Sequence, residues 1–238
     1  EMLVEKKVTE AVRKILADVK LRGDQAVVDF TNQFDDYKVQ SIKELIVSSD
    51  QLQNSLASLS NEQRQSLTHA AERIKSYHEK QKQSSWQYKE ADGSVYGQKI
   101  SPLERVGVYV PGGKANYPSS VLMLAIPAQV AGVSEIIATV PTPYGDDGKL
   151  IFAAAALAGV SQLYTVGGAQ AIAAYAHGSK IISKADKVFG PGNQFVSEAK
   201  KQLFGIIGID LPAGPSEVLV IANSKSNANW IAYDVLAQ

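Results

Sequence analysis

The hydrophobic pattern changes its grammar once along the chain, close to residue 100. Before that point apolar positions recur at helical spacing. Val8, Val12, Ile15, Leu16 and Val19 mark one stripe, Gly23 supplies a stop, and Asp24 is the expected N-cap of a second helix carrying Val27, Phe30 and Phe34. Together they predict a helical hairpin. Asn61 is the expected cap of a third, longer helix, with Leu67, Ala70, Ala71, Ile74 and Tyr77 on its apolar side and Arg64, Glu72, Arg73, Lys75 and Glu79 towards water. The stretches 86–89 and 94–100 flank Ala91-Asp92-Gly93, and Asp-Gly between strand-like runs predicts a short β-hairpin.

From Arg105 onwards short, nearly all-apolar runs alternate with alanine-rich helical patterns. Residues 106–110, 135–140, 162–166, 187–189, 208–210 and 218–222 read as strands, and 117–132, 149–159, 169–177 and 193–204 as helices between them. Strands without a polar face, separated by helices, predict a parallel sheet covered on both sides. The fold class is therefore α/β: a mainly helical N-terminal part followed by a doubly wound, Rossmann-like sheet domain. The composition shift near Pro102 and the stiff punctuation Pro212-Ala213-Gly214-Pro215 mark the expected joints.

Three of the predicted strands end in glycine-rich corners: Pro111-Gly112-Gly113, Gly167-Gly168 and Gly190-Pro191-Gly192. Such corners let backbone approach a ligand and aim a helix N-terminus at it. In an open α/β sheet the ligand crevice lies outside the carboxyl ends of the strands, so Tyr109, Gln170 and Asn193 are polar groups that the fold can gather there. Glycine also serves plain strand-to-helix turns. Three corners with an amide or phenol beside each favour a crevice.

Composition narrows the partners. Lys+Arg and Asp+Glu number 24 each, so no net positive field draws the chain to nucleic acid or to a membrane surface, and a small-molecule partner is expected. Without cysteine there is no disulfide frame and no thiolate chemistry, which fits a cytoplasmic protein. The N-terminus is charged before a signal-type apolar stretch can form, and the longest apolar run, 121–133, is broken by Pro127 and Gln129, so neither signal peptide nor membrane span is expected. No Gly-x-Gly-x-x-Gly fingerprint, phosphate loop, Gly-x-Ser-x-Gly elbow or His-Glu-x-x-His motif occurs. His69 and His78 read as surface or packing residues, and His177 as a helix C-terminal cation.

Four longer blocks carry a specific resemblance. They are 104–113 (Glu-Arg-Val-Gly-Val-Tyr-Val-Pro-Gly-Gly), 167–173 (Gly-Gly-Ala-Gln-Ala-Ile-Ala), 189–193 (Phe-Gly-Pro-Gly-Asn) and 210–219 (Asp-Leu-Pro-Ala-Gly-Pro-Ser-Glu-Val-Leu). In order and spacing the chain resembles the histidinol dehydrogenases. The resemblance implies a zinc-dependent, NAD-linked oxidoreductase that converts L-histidinol to L-histidine in two hydride transfers, the last step of histidine biosynthesis, and works as a homodimer. It implies that Tyr109, Gln170 and Asn193 contact NAD, with Pro111 and Pro191 shaping the crevice, that Ser216 contacts substrate, and that Gln238 binds both zinc and substrate. It further implies a discontinuous first domain: 1–102, helical with a hairpin; a cofactor domain, 103–213; and a return segment, 214–238, whose amphipathic pattern has no stop signal. The catalytic groups of the family are expected beyond Gln238, so the chain by itself is expected to be inactive. The alternative is a non-catalytic nucleotide- or metabolite-binding α/β module.

Overall fold

The computed structural model describes residues 2–35, 37–112, 117–141, 148–212 and 217–236. At its centre is a six-stranded sheet. Its strands are β1 (Ile46–Val47), β4 (Arg105–Tyr109), β5 (Glu135–Thr139), β6 (Gln162–Tyr164), β7 (Lys187–Phe189) and β8 (Gly208–Ile209), in the order β1-β6-β5-β4-β7-β8. All neighbours are parallel except β1, which runs antiparallel to β6 in the register Ile46↔Tyr164. The chain winds outward from β4 through β5 to β6, then crosses back so that β7 lies on β4's other side, with Val108 opposite Phe189. That reversal opens a switch point between the carboxyl ends of β4 and β7.

Both faces are covered by two layers of helix. On one side α7 (Gly168–His177) and α8 (Gln194–Leu203) lie on the sheet, with α1 (Met2–Arg22) and α2 (Asp24–Phe34) packed outside them. Val12, Val19, Val27, Ile172, Tyr175 and Val196 share that core. On the other side α5 (Pro118–Ala131) and α6 (Lys149–Leu157) are backed by α4 (Asn61–Glu79) and α3 (Ser49–Ala57) respectively. Leu52, Leu67, Val121, Leu122 and Ile151 fill that second core. The N-terminal helices therefore sandwich the sheet domain, and β1 extends its edge.

Several sequence expectations are met and some are corrected. The hairpin forms as β2 (Trp86–Lys89) and β3 (Val95–Gln98), with Trp86 opposite Gln98 and the Ser94 N–H donating to Asp92 Oδ1 at 2.8 Å across the turn. Asp24 is the first residue of α2 rather than its cap; Gly23 holds that position and offers no side chain. Ser60, not Asn61, caps α4: its Oγ accepts from the Gln63 N–H and Gln63 Oε1 accepts from the Ser60 N–H, each at 3.2 Å. A reciprocal Ser-x-x-Gln box satisfies two end groups at once, so it outcompetes a lone asparagine. Periodicity missed α3, whose only buried residue is Leu52. No strand forms at 218–222; Leu219 and Ile221 are exposed there, because an apolar run without a neighbouring strand has no ladder to join. Beyond it α9 (Ala228–Leu236) has no buried residue.

Candidate functional site

The two ends of the sheet are built differently. At the amino ends of β4 and β5 the Arg105 guanidinium makes a bidentate pair with Glu135, at 2.6 and 2.8 Å, and Asp186 accepts from the Glu104 and Arg105 N–H groups. At the carboxyl ends backbone comes close to backbone, and side chains are excluded. A Cβ on Gly112 would lie 2.1 Å from the Pro141 carbonyl oxygen, and one on Gly190 would lie 1.9 Å from that of Tyr109. Gly190 also has φ 122, a conformation L-residues rarely adopt. Tightly apposed corners on one edge of a parallel sheet form a cradle for a ligand's polar backbone.

Tyr109 ends β4 and turns into the α7 and α8 side of the sheet, where its ring is buried. Its hydroxyl accepts from the Gly168 N–H at 3.2 Å, at the first turn of α7. Burial pushes its pKa up to about 12, opposed by the Gly168 bond and reinforced by nearby Asp35. The phenol is thus neutral and keeps its own proton to donate. Gln170 stands one turn into the same helix end, folded back towards Gly168, which has φ 65 and whose Cβ would meet Gln170 Oε1 at 2.5 Å. Gln170 is only 1% exposed, and among the described residues neither its Oε1 nor its Nε2 has a hydrogen-bond partner. An unpaired buried amide costs roughly 1–3 kcal/mol for each orphaned group.

Asn193 caps α8: its Oδ1 accepts from the Phe195 and Val196 N–H groups at 3.0 and 3.1 Å. The residue itself is exposed. Tyr109 and Gln170 thus both meet Gly168, while Asn193 follows in the chain after Gly190, whose Cβ position lies against the Tyr109 carbonyl. All three lie on the same face and the same edge of the sheet. Pro111 and Pro191 belong to the first and third of these corners, whereas Ser216 and Gln238 lie outside the described residues. Among the described residues no group of three or more His, Cys, Asp or Glu is placed to hold a metal ion.

Sequence reasoning missed three groups that shape this edge. Tyr175 is fully buried and its hydroxyl donates to the Val108 and Ile137 carbonyls, 3.2 and 3.1 Å away. Its ring fills the space that a Cβ on Gly107 would need, and burial raises its pKa. Lys200, 2% exposed, reaches from α8 to the Gly190 carbonyl and to Asp210 Oδ1 at 2.5 Å, while the Gly190 N–H donates to Asp210 Oδ2 at 2.7 Å. The signal for Lys200 was available. It shares the i, i+3, i+4, i+7 stripe of Val196, Ala199 and Leu203, where a charge has no reason to sit unless it is paired.

Comparison with known proteins agrees with this architecture. A family model described as histidinol dehydrogenase matches residues 1–238. The chain is 52% identical over 238 residues to the histidinol dehydrogenase of Pseudomonas savastanoi pv. phaseolicola, covering 100% of this chain and 53% of that protein. It is 54% identical over 224 residues to the one from Dechloromonas aromatica, covering 94% and 52% respectively. The crystal structure of histidinol dehydrogenase from Elizabethkingia anophelis superposes with a TM-score of 0.87 at 39% identity, over 96% of this chain and 52% of that one. The chain thus spans about half the length of the curated relatives it matches.

Proposed function

The chain belongs to the histidinol dehydrogenase family, and from that premise we propose that its switch-point crevice binds NAD for the zinc-dependent oxidation of L-histidinol to L-histidine, in a cytoplasmic homodimeric enzyme. Tyr109, Gln170 and Asn193 are the residues that hold the dinucleotide in this reading. When bound, NAD supplies the acceptor for hydride. The observation that carries the reading is the Gln170 amide, buried with neither polar atom partnered among the described residues, at the first turn of a helix on the switch-point edge.

The chain's own groups suit a dinucleotide. The Tyr109 hydroxyl, neutral at any physiological pH, already accepts the Gly168 N–H and so is oriented to donate outward. Gln170 offers one acceptor and one donor, the pair needed to read a carboxamide or a ribose. The N-terminus of α8 presents its positive dipole end beside Asn193, which suits phosphate. Glycine at 112 and 190 lets the corners pack against the Pro141 and Tyr109 backbone, which draws together the strand ends that form the cradle. The described residues do not offer a zinc site, and Gln238, the zinc ligand that the resemblance assigns, lies outside them. Ser216 is assigned to substrate on the resemblance alone.

Calorimetric titration of the chain with NAD tests the proposal. Saturable binding is expected, and Gln170→Leu should weaken it by about tenfold or more, the loss of one to two well-formed hydrogen bonds. Absence of saturable binding to the unsubstituted chain, or equal affinity in the Gln170→Leu chain, would overturn it.

A further inference from the structure

We propose that Lys200 and Asp210 are positioning residues, a buried ion pair that clamps the loop after β7 so that Asn193 and the N-terminus of α8 present one fixed surface to the nucleotide. This inference rests on the NAD reading of the crevice for its functional meaning, and on the ion pair alone for its geometry. Gly190 is gripped through both of its polar backbone groups: Lys200 Nζ donates to its carbonyl, and its N–H donates to Asp210 Oδ2 at 2.7 Å. The ring is closed by Lys200 Nζ donating to Asp210 Oδ1 at 2.5 Å. The two charges come from separate elements, Lys200 from the second turn of α8 and Asp210 from the residue directly after β8.

The chemistry argues against an incidental role. An ammonium taken out of water costs several kcal/mol unless paired, and an aliphatic residue would fill the Val196–Ala199–Leu203 stripe without that cost. What lysine adds is reach and direction: its stem runs under the loop and delivers donors to one carbonyl. The bonds are charge-assisted, stronger and more directional than neutral ones. Gly190 simultaneously presses against the Tyr109 carbonyl, so a loop released from the clamp would disturb the Tyr109 side of the crevice as well. The two partners are unequally buried, 2% for the Lys200 side chain and 28% for that of Asp210. Removing the lysine therefore leaves a carboxylate that water can reach, whereas removing the aspartate strands a charge.

The experiment compares Lys200→Met, Lys200→Gln and Lys200→Arg in the full chain. Amide hydrogen exchange over residues 189–196 without ligand reads the clamp, NAD titration reads its consequence, and urea unfolding reads global stability. Lys200→Met is expected to speed loop exchange about tenfold and to weaken NAD by a similar factor, while the amides of β4 and β5 keep their protection. Lys200→Arg should restore most of both, since it returns the cation; Lys200→Gln, which keeps a donor for the Gly190 carbonyl, serves where methionine is not tolerated and should fall between. Native loop exchange and native NAD affinity in Lys200→Met would overturn the proposal. So would faster exchange spread evenly over the chain in step with lost stability, because the pair would then be an ordinary stabiliser. If the unsubstituted chain fails to bind NAD, the cofactor reading falls while the exchange comparison still decides the clamp.

Discussion

Replacing Gly190 by alanine separates the two physical reasons for glycine at the end of β7. The first is conformational: at φ 122 an L-residue is strained by roughly 1–2 kcal/mol. The second is steric. The added Cβ would sit 1.9 Å from the Tyr109 carbonyl oxygen, and both partners are backbone, so no change of rotamer relieves the overlap. Either the loop or the end of β4 must move, against the Lys200–Asp210 clamp on one side and the parallel ladder to β5 on the other. Overpacking of this kind costs about 1–3 kcal/mol beyond the backbone strain. Gly205 provides the control, with φ 92 and nothing within 4 Å of its would-be Cβ. Gly205→Ala carries the conformational cost alone, so Gly190→Ala should be less stable than Gly205→Ala by about 1–3 kcal/mol. In a chain of this size each 1 kcal/mol moves Tm by roughly 2–4 °C, which makes the expected gap about 5 °C. Urea unfolding and thermal melts followed by circular dichroism measure it. Variants whose stabilities coincide within about 0.5 kcal/mol would refute the close backbone approach on which the cradle depends.

Three further outcomes are expected. Tyr175→Phe removes the hydroxyl that serves the Val108 and Ile137 carbonyls and should destabilise the chain by about 1–2 kcal/mol in urea; an unchanged midpoint would mean those bonds do not form. Ser60→Ala should cost about 1 kcal/mol while Asn61→Ala stays within about 0.5 kcal/mol, and the reverse order would restore Asn61 as the cap of α4. The pKa of His177 is held below its ordinary value by desolvation and by Lys20 and Lys184, so through the imidazole range the folded chain binds fewer protons than the unfolded one. Its contribution is then fully present above the unfolded value of about 6.5 and is lost as pH falls below it. His177→Gln should flatten that part of the profile of urea midpoint against pH, and an unaltered slope would exclude the assignment.

Local pattern determined a great deal about this protein. The alternation of apolar runs with alanine-rich stretches, the Asp-Gly turn and the strand-ending glycines depend on periodicity and backbone freedom within a few residues, and the sheet, the hairpin and the corners at Tyr109, Gln170 and Asn193 follow from them. The four signature blocks likewise mark the family by local sequence alone. Other features depend on which distant segments meet. Nothing within residues 46–47 announces that they pair with β6, and the apolar run at 218–222 forms no strand because a ladder needs a neighbour. Strand order placed β7 beside β4 and so created the switch point. Gln170, a polar residue in sequence, becomes a buried amide only in the assembled fold. Lys200 and Asp210 show the division most clearly. Each is an ordinary charged residue in sequence, and only the tertiary structure brings them onto the two polar groups of one glycine, where low dielectric and closed geometry turn a helix lysine into a clamp.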